Sequence, residues 1–164
     1  ISRRLFVGYR DAMARKKLIS EPLSYPDLGI IGISSQLKDY RLAYHINLSA
    51  ALSLTRLDDL PVYQEKEGTL PEFPLFAYYE CNRRLHFYLI ANSNHTAKLV
   101  PAYRQADYFL LTKGPFEPEH QSSLIQTIRK IEGVQLTFPV EGAKVKNLEG
   151  IMTDLELHLV GKGV

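Results

Sequence analysis

Short apolar runs along the chain predict six strands. Residues 28–33, LGIIGI, are apolar on both faces and rich in β-branched side chains, as in a strand buried within a sheet. Residues 134–140 alternate apolar and polar side chains, which predicts a strand with one solvent face. Pro139 places that strand at a sheet edge, because proline cannot donate to a ladder of hydrogen bonds. The four remaining strand patterns are residues 54–63, 75–81, 85–92 and 108–112.

A first helix is predicted over residues 36–52, after Ser34 and Ser35, either of which could cap it. One stripe at helical spacing is expected to face the core, and four further apolar residues widen it. The stripe consists of Leu37, Tyr40, Tyr44, Leu48 and Ala51, and the residues that widen it are Leu42, Ala43, Ile46 and Ala50.

A second helix is predicted to begin near Pro118, because proline has a helical φ and its missing N–H costs nothing in a first turn. Leu124, Ile128 and Ile131 follow at spacings of four and three, which predicts a buried face. Gly133 supplies a left-handed residue to end the helix.

The order of elements is β-α-β, a hairpin, then β-α-β. It predicts an α+β, two-layer sandwich in which a mainly antiparallel mixed sheet carries two main helices on one face. We expect a ferredoxin-like arrangement or an elaboration of it. Residues 1–26 are predicted as a basic N-terminal arm and linker, and residues 27–152 as a single domain. Residues 153–164, which alternate around Leu155, are predicted as a strand-like tail.

Charge separates the arm from the body. The first twenty residues carry six basic side chains against Asp11, a net +5, so a total of +2 leaves −3 for the rest. An acidic body gives no reason to expect nucleic acid. The arm also has the composition of an organelle presequence, although a charged helix or an upstream extension is favoured. A single cysteine and the lack of a long apolar run indicate a cytoplasmic protein outside the membrane.

The residues that could carry chemistry form no catalytic, cofactor-binding or metal-binding motif. The five histidines are not spaced as ligand pairs, and Cys81 is interpreted as a structural thiol. Arg83 and Arg84, at the tip of the predicted hairpin, offer a weak alternative of RNA contact beside aromatic strands. Core packing of those aromatic residues is the preferred interpretation.

Three blocks, GISSQLKDYRLAYHIN, LHFYLIANSN and VPAYRQADYFLLTKGP, resemble in order the family named IPExxxVDY after its signature. Pro101, Asp107 and Tyr108 match that signature, whereas Ala102 stands where the family has glutamate. The resemblance covers about residues 27–152. It implies a small cytoplasmic protein of Bacteroidota, and it implies no particular reaction.

The signature also has a structural interpretation. Pro101 is expected to start a turn over residues 103–106, which Asp107 ends by accepting backbone N–H groups. Tyr108 is then expected to enter the sheet with its ring buried and its hydroxyl on a partner. A partner-binding patch is the alternative. Lys38, Asp39 and Tyr40, in the first turn of the first helix, are interpreted as a solvated face that could join such a patch.

These observations favour a non-enzymatic interaction or regulatory module without cofactor. Its partner would be another protein or a second copy that pairs near Pro139 or the tail. One alternative is a small-ligand domain of the amino-acid-sensor kind, which would use Ser34 and Ser35 at a helix start. The other is a small enzyme that uses carboxylates such as Asp39 and Asp107, with Asp58 and Asp59 as further candidates.

Overall fold

A computed structural model describes residues 25–162 of the chain. They form one six-stranded sheet, three α-helices and a short 3₁₀ turn, Gly142–Lys144. The α+β class is therefore confirmed. The strands are β1 (Leu28–Ser35), β2 (Thr55–Pro61), β3 (Glu72–Glu80), β4 (Leu85–Ala91), β5 (Tyr108–Lys113) and β6 (Val134–Val140). The helices are α1 (Asp39–Ala50), α2 (Pro118–Arg129) and α3 (Leu148–Gly161).

The sheet has the order β2-β3-β4-β5-β1-β6, and every neighbouring pair is antiparallel. Strands β2 to β5 form a meander, because each is joined to the next along the chain. The first strand lies between β5 and β6, which explains why both of its faces are apolar. The predicted edge position of Pro139 is confirmed, since β6 ends the sheet.

Alternate residues of β1 enter two separate cores. Ile31 and Ile33 pack beneath α1 and α2 on one face of the sheet. Ile30 points to the opposite face, into a core completed by α3. The two predicted helices therefore share one face of the sheet, as expected. The third helix covers the other face, so the prediction of a two-layer sandwich is not confirmed.

The third helix replaces the predicted strand-like tail. Five buried side chains give α3 its core-facing side at spacings of three and four, namely Leu148, Ile151, Met152, Leu155 and Leu159. Leu155, Leu157 and Leu159 also alternate, but burial follows the helical period and leaves Leu157 66% exposed. In the described part of the tail, residues 153–162, there is therefore no strand through which two copies could pair.

The first helix buries a different face from the predicted stripe. Leu42, Ala43 and Ile46 pack on the sheet, whereas Tyr40 and Tyr44 are each 59% exposed and Leu48 is 67% exposed. The side chains of the buried residues carry no polar atom, so burying them leaves no hydrogen bond unmade. The two phenols keep their hydroxyl groups in water instead.

The end of α1 is held in an unusual conformation. Ala51 has a φ of 55°, in the left-handed region, and the Leu52 N–H donates to the Asn47 carbonyl at 3.2 Å. The Asn47 side chain also bonds the backbone of Leu54 in both directions, at 2.9 and 3.1 Å. These contacts fix the turn from α1 into β2.

No helix of residues 25–162 has both the length and the apolar character that crossing a membrane requires.

Candidate functional site

Residues 100–108, which carry the signature resemblance, form two consecutive turns and then enter β5. The Tyr103 N–H donates to the Val100 carbonyl at 3.1 Å, and the Ala106 N–H donates to the Tyr103 carbonyl at the same distance. Pro101 is exposed at the second position of the first turn, where its fixed φ is favoured. The predicted turn is thus confirmed. Ala102, where the family has glutamate, is an exposed turn residue.

Asn92 holds this loop in place, and nothing in the sequence singled it out. Its side chain is fully buried and its Nδ2 donates to the carbonyls of Tyr103 and Ala106, at 3.0 and 2.8 Å. Its Oδ1 accepts the Val100 N–H at 2.8 Å. A buried amide that satisfies three backbone groups positions the loop rather than a ligand. The one sequence feature that could have indicated this role is the position of Asn92, a polar residue directly after the apolar strand β4.

Asp107 joins the loop to the end of β1. Its Oδ2 accepts the Ser35 N–H at 2.8 Å, and its own N–H donates to the Ile33 carbonyl at 2.8 Å. The expectation that Asp107 accepts a backbone N–H is confirmed, although the donor lies 72 residues away rather than within the turn. The carboxylate stabilises the β1–β5 junction by a charge-assisted hydrogen bond.

Tyr108 behaves as the turn interpretation expects. Its side chain is 9% exposed, and its hydroxyl donates to the Leu37 carbonyl at 2.6 Å. Burial, together with the negative charges of Asp39 and Asp107, raises the pKa of Tyr108 to about 12. The phenol therefore remains a hydrogen-bond donor that ties β5 to the start of α1.

The β1–α1 junction is filled by contacts within the chain. The Ser35 hydroxyl donates to the Gly133 carbonyl at 2.7 Å and accepts the Leu37 N–H at 3.1 Å. The Ser35 N–H is already bound to Asp107. The N–H groups that an anionic ligand would need at Ser35 and Leu37 are thus occupied by protein atoms, which weakens the small-ligand interpretation. Ser34 is half-buried beside them.

The candidate residues of α1 lie at the surface next to this junction. Lys38 occupies the position before the helix and is exposed. Asp39 is half-buried, and its Oδ1 accepts the Tyr40 N–H at 2.7 Å. The Tyr40 ring points outward. The start of α1, which carries Lys38, Asp39 and Tyr40, lies next to Tyr108. The Tyr108 hydroxyl donates to the Leu37 carbonyl, and the charges of Asp39 and Asp107 both act on its pKa.

The two arginines of the hairpin lie apart from that region and do not form a stacking surface. Arg83 donates to both carboxylate oxygens of Glu80, at 2.9 and 2.7 Å, and its Nη1 lies 2.6 Å from His120 Nε2. The hydrogen bond from Arg83 lowers the pKa of Glu80. Arg84 is exposed with a φ of 54°. The neighbouring Phe87 is buried beneath the helices, so it cannot stack on a base.

The four carboxylates proposed for an enzyme lie in two separate places. Asp39 and Asp107 are both near Tyr108 at the end of β1, where each raises the pKa of the phenol, whereas the other two are on a distant strand. Asp58 and Asp59 lie on the edge strand β2, which three other strands separate from β1. They pair with Lys162 and Arg56 respectively. The hydrogen bond from Lys162 lowers the pKa of Asp58. Asp107 is bound to Ser35 instead. Within the described part of the chain, acidic, histidine and cysteine side chains form no group of three that could hold a metal ion.

Comparison of the chain with protein-family models and with curated proteins finds no match in either set.

Proposed function

We propose that this protein is a non-enzymatic interaction module of the cytoplasm, built on an elaborated ferredoxin-like core. Strands β4, β5, β1 and β6, with helices after β1 and β5, support that core, and the hairpin of β2 and β3 would be the elaboration. We further propose that it is an IPExxxVDY protein of Bacteroidota. Three collinear sequence blocks, the last of which contains Asp107 and Tyr108, support this assignment.

The observation that carries the proposal is the outward face of α1. Tyr40, Tyr44 and Leu48 are spaced four residues apart, and each is more than half exposed. Each is a large side chain of about 150–200 Å², so together they present on the order of 350 Å² of surface to water. The largest apolar patch on a typical monomer measures about 300–600 Å² and is often functional, so the size of this patch is compatible with an interaction site.

The size of the patch suits a short segment of a partner. A stable interface of two folded proteins buries about 800 Å² on each side, roughly twice what this patch offers. Tyrosine is favoured at such sites because a rigid ring gives a large contact area at a low cost in conformational entropy. We therefore propose a partner segment with an apolar helical stripe.

Charge gives the partner segment a second property. Lys38 and Arg41 are exposed at the N-terminal end of the patch, and the half-buried Asp39 between them leaves a net charge of +1 there. Acidic side chains at one end of the partner segment would pair with them, whereas a basic segment would be repelled. The proposed partner is accordingly an apolar segment with an acidic flank.

Peptide display with the full chain as bait tests the proposal. We expect enrichment of peptides with apolar residues at helical spacing and an acidic end. The double variant Tyr44→Ser, Leu48→Ser should weaken their binding by at least about 10-fold, because hot-spot side chains contribute about 2 kcal/mol or more each. Arg41→Glu should weaken it most for the peptides with the strongest acidic flank.

The matched control is Tyr63→Ser, Leu70→Ser, since those side chains are similarly exposed, at 51% and 59%, but lie elsewhere. Equal loss of binding in both double variants would contradict the assignment of the face. Failure to enrich any peptide would contradict the module itself.

A further inference from the structure

The outward side of α3 has the chemistry proposed above for a partner of α1. Leu157 and Val160 are large apolar residues that are 66% and 78% exposed. Glu149, at the N-terminal end of the helix, is also exposed, and none of the ion pairs formed within the described part of the chain includes it. Glu156 contributes no free charge, because it is paired with Lys113. The chain itself therefore carries a helix with exposed apolar residues and one acid at its start.

The exposed sides of α1 and α3 match in the order of their residues. On α1, Arg41, Tyr44 and Leu48 share one side at spacings of three and four, with the basic residue at the N-terminal end. On α3, Leu157 follows Glu149 by eight residues, so the charge again lies at the N-terminal end. At about 1.5 Å per residue, the leucine follows the charge by about 10.5 Å on α1 and by about 12 Å on α3. Parallel packing of the two helices would therefore place Glu149 beside Arg41 and Leu157 beside Leu48.

The two helices cannot meet within one molecule. Helix α1 packs on one face of the sheet through Leu42 and Ile46, whereas α3 packs on the opposite face through Ile151 and Leu155. Contact between them therefore needs a second copy of the chain. Because the helices project from opposite faces, the same two molecules cannot make the α1–α3 contact twice. Each pair of molecules would thus keep one free α1 and one free α3, which is a head-to-tail arrangement rather than a closed dimer.

We propose that the partner of the α1 patch is α3 of a second copy of this chain, so that molecules associate head to tail. This assignment, which rests on the proposed function, brings residues of opposite charge together. Contact of α1 with α1 would instead bring Lys38 and Arg41 of one copy against the same residues of the other, where like charges repel. Since the patch offers about half the area of a stable interface, the association is weak and reversible.

Sedimentation velocity of the full chain over a range of concentrations tests the proposal. We expect the weight-average mass to rise with concentration and to show no plateau at the mass of a dimer. The double variants Tyr44→Ser, Leu48→Ser and Leu157→Ser, Val160→Ser should each remain monomeric, because each keeps only one of the two surfaces. All four side chains are exposed, so the fold is expected to tolerate these changes. An equimolar mixture of the two variants should form a one-to-one complex and nothing larger, because one intact α1 then meets one intact α3.

Charge reversal separates this contact from non-specific association. Arg41→Glu or Glu149→Arg alone should weaken self-association by about 3–10-fold, whereas both changes in one chain should restore it. The control Tyr63→Ser, Leu70→Ser, which alters exposed side chains elsewhere, should associate like the unchanged chain.

Three results would overturn the proposal, namely a plateau at the dimer, self-association of either helix variant equal to that of the unchanged chain, and a mixture of the two variants that stays monomeric. If acid-flanked peptides bind α1 while the chain stays monomeric at every concentration, a second copy is not the partner and the proposed function stands. If neither peptides nor a second copy bind, both proposals fail.

Discussion

Replacing Asn92 by alanine is the sharpest test of what holds the loop of residues 100–108 in place. The substitution deprives three backbone groups of their partner, namely the Val100 N–H and the carbonyls of Tyr103 and Ala106. Val100 and Ala106 are buried, at 7% and 0% exposure, so water cannot readily replace the amide. Each unsatisfied group costs about 1–3 kcal/mol.

Tyr103 is half-buried, so water can partly replace the amide at its carbonyl. We therefore expect Asn92→Ala to lower the free energy of unfolding by about 3 kcal/mol, toward the lower end of the sum for three groups. For a chain of this size that corresponds to a Tm lower by about 6–12 °C. Urea unfolding followed by circular dichroism measures the free energy directly.

Asn94→Ala is the matched control in the same loop. The Asn94 side chain also makes three backbone contacts, to Thr96, Ala97 and Glu72, but in a more exposed setting. Since water can replace it there, a loss of about 1 kcal/mol is expected. A loss for Asn92→Ala that is no larger than that for Asn94→Ala would refute the view that the buried amide holds the loop.

Two further predictions concern stability. Ala51→Gly should raise the free energy of unfolding, measured by urea titration, by about 0.5–1 kcal/mol. Glycine relieves the strain of the left-handed conformation at a φ of 55°, and this gain exceeds the cost of its greater entropy in the unfolded chain. A lower free energy of unfolding would contradict this reasoning. Burial, aided by the nearby cations Lys113 and Arg83, lowers the pKa values of His86 and His120 respectively. Because the two pKa values are lower in the folded chain, the unfolded chain binds more protons as pH falls. The stability that depends on the neutral form of these two histidines is therefore fully present above their unfolded pKa of about 6.5, and it is lost as pH falls below that value. Between about pH 7 and pH 5 the double variant His86→Gln, His120→Gln should show a weaker fall in Tm than the unchanged chain, and an identical fall would count against the assignment.

The local pattern of the sequence was sufficient for most elements of the sheet. Residues 134–140 were predicted as a strand and form β6 with the same limits. The predicted solvent face is wrong, however, since Thr137 is fully buried and Leu136 is 45% exposed. The turn chemistry of Asp107 and Tyr108 was also predictable. A short acceptor before a buried aromatic residue is typical of a strand entrance.

Tertiary structure decided which of two compatible faces each helix buries. Tyr40, Tyr44 and Leu48 share a helical spacing with one another, and Leu42, Ala43 and Ile46 occupy a second face. The sheet beneath α1 decides that Leu42, Ala43 and Ile46 are the residues that become buried, since packing depends on the shape of the opposing surface.

The partners of the polar groups were likewise beyond the sequence. Asp107 finds its donor 72 residues away at Ser35, and Tyr108 finds its acceptor 71 residues away at Leu37. Residue type determined that these groups would need partners, because buried polar groups must be hydrogen-bonded. The antiparallel pairing of β1 with β5 decided which atoms became their hydrogen-bond partners, because it brings distant parts of the chain to the same end of the sheet.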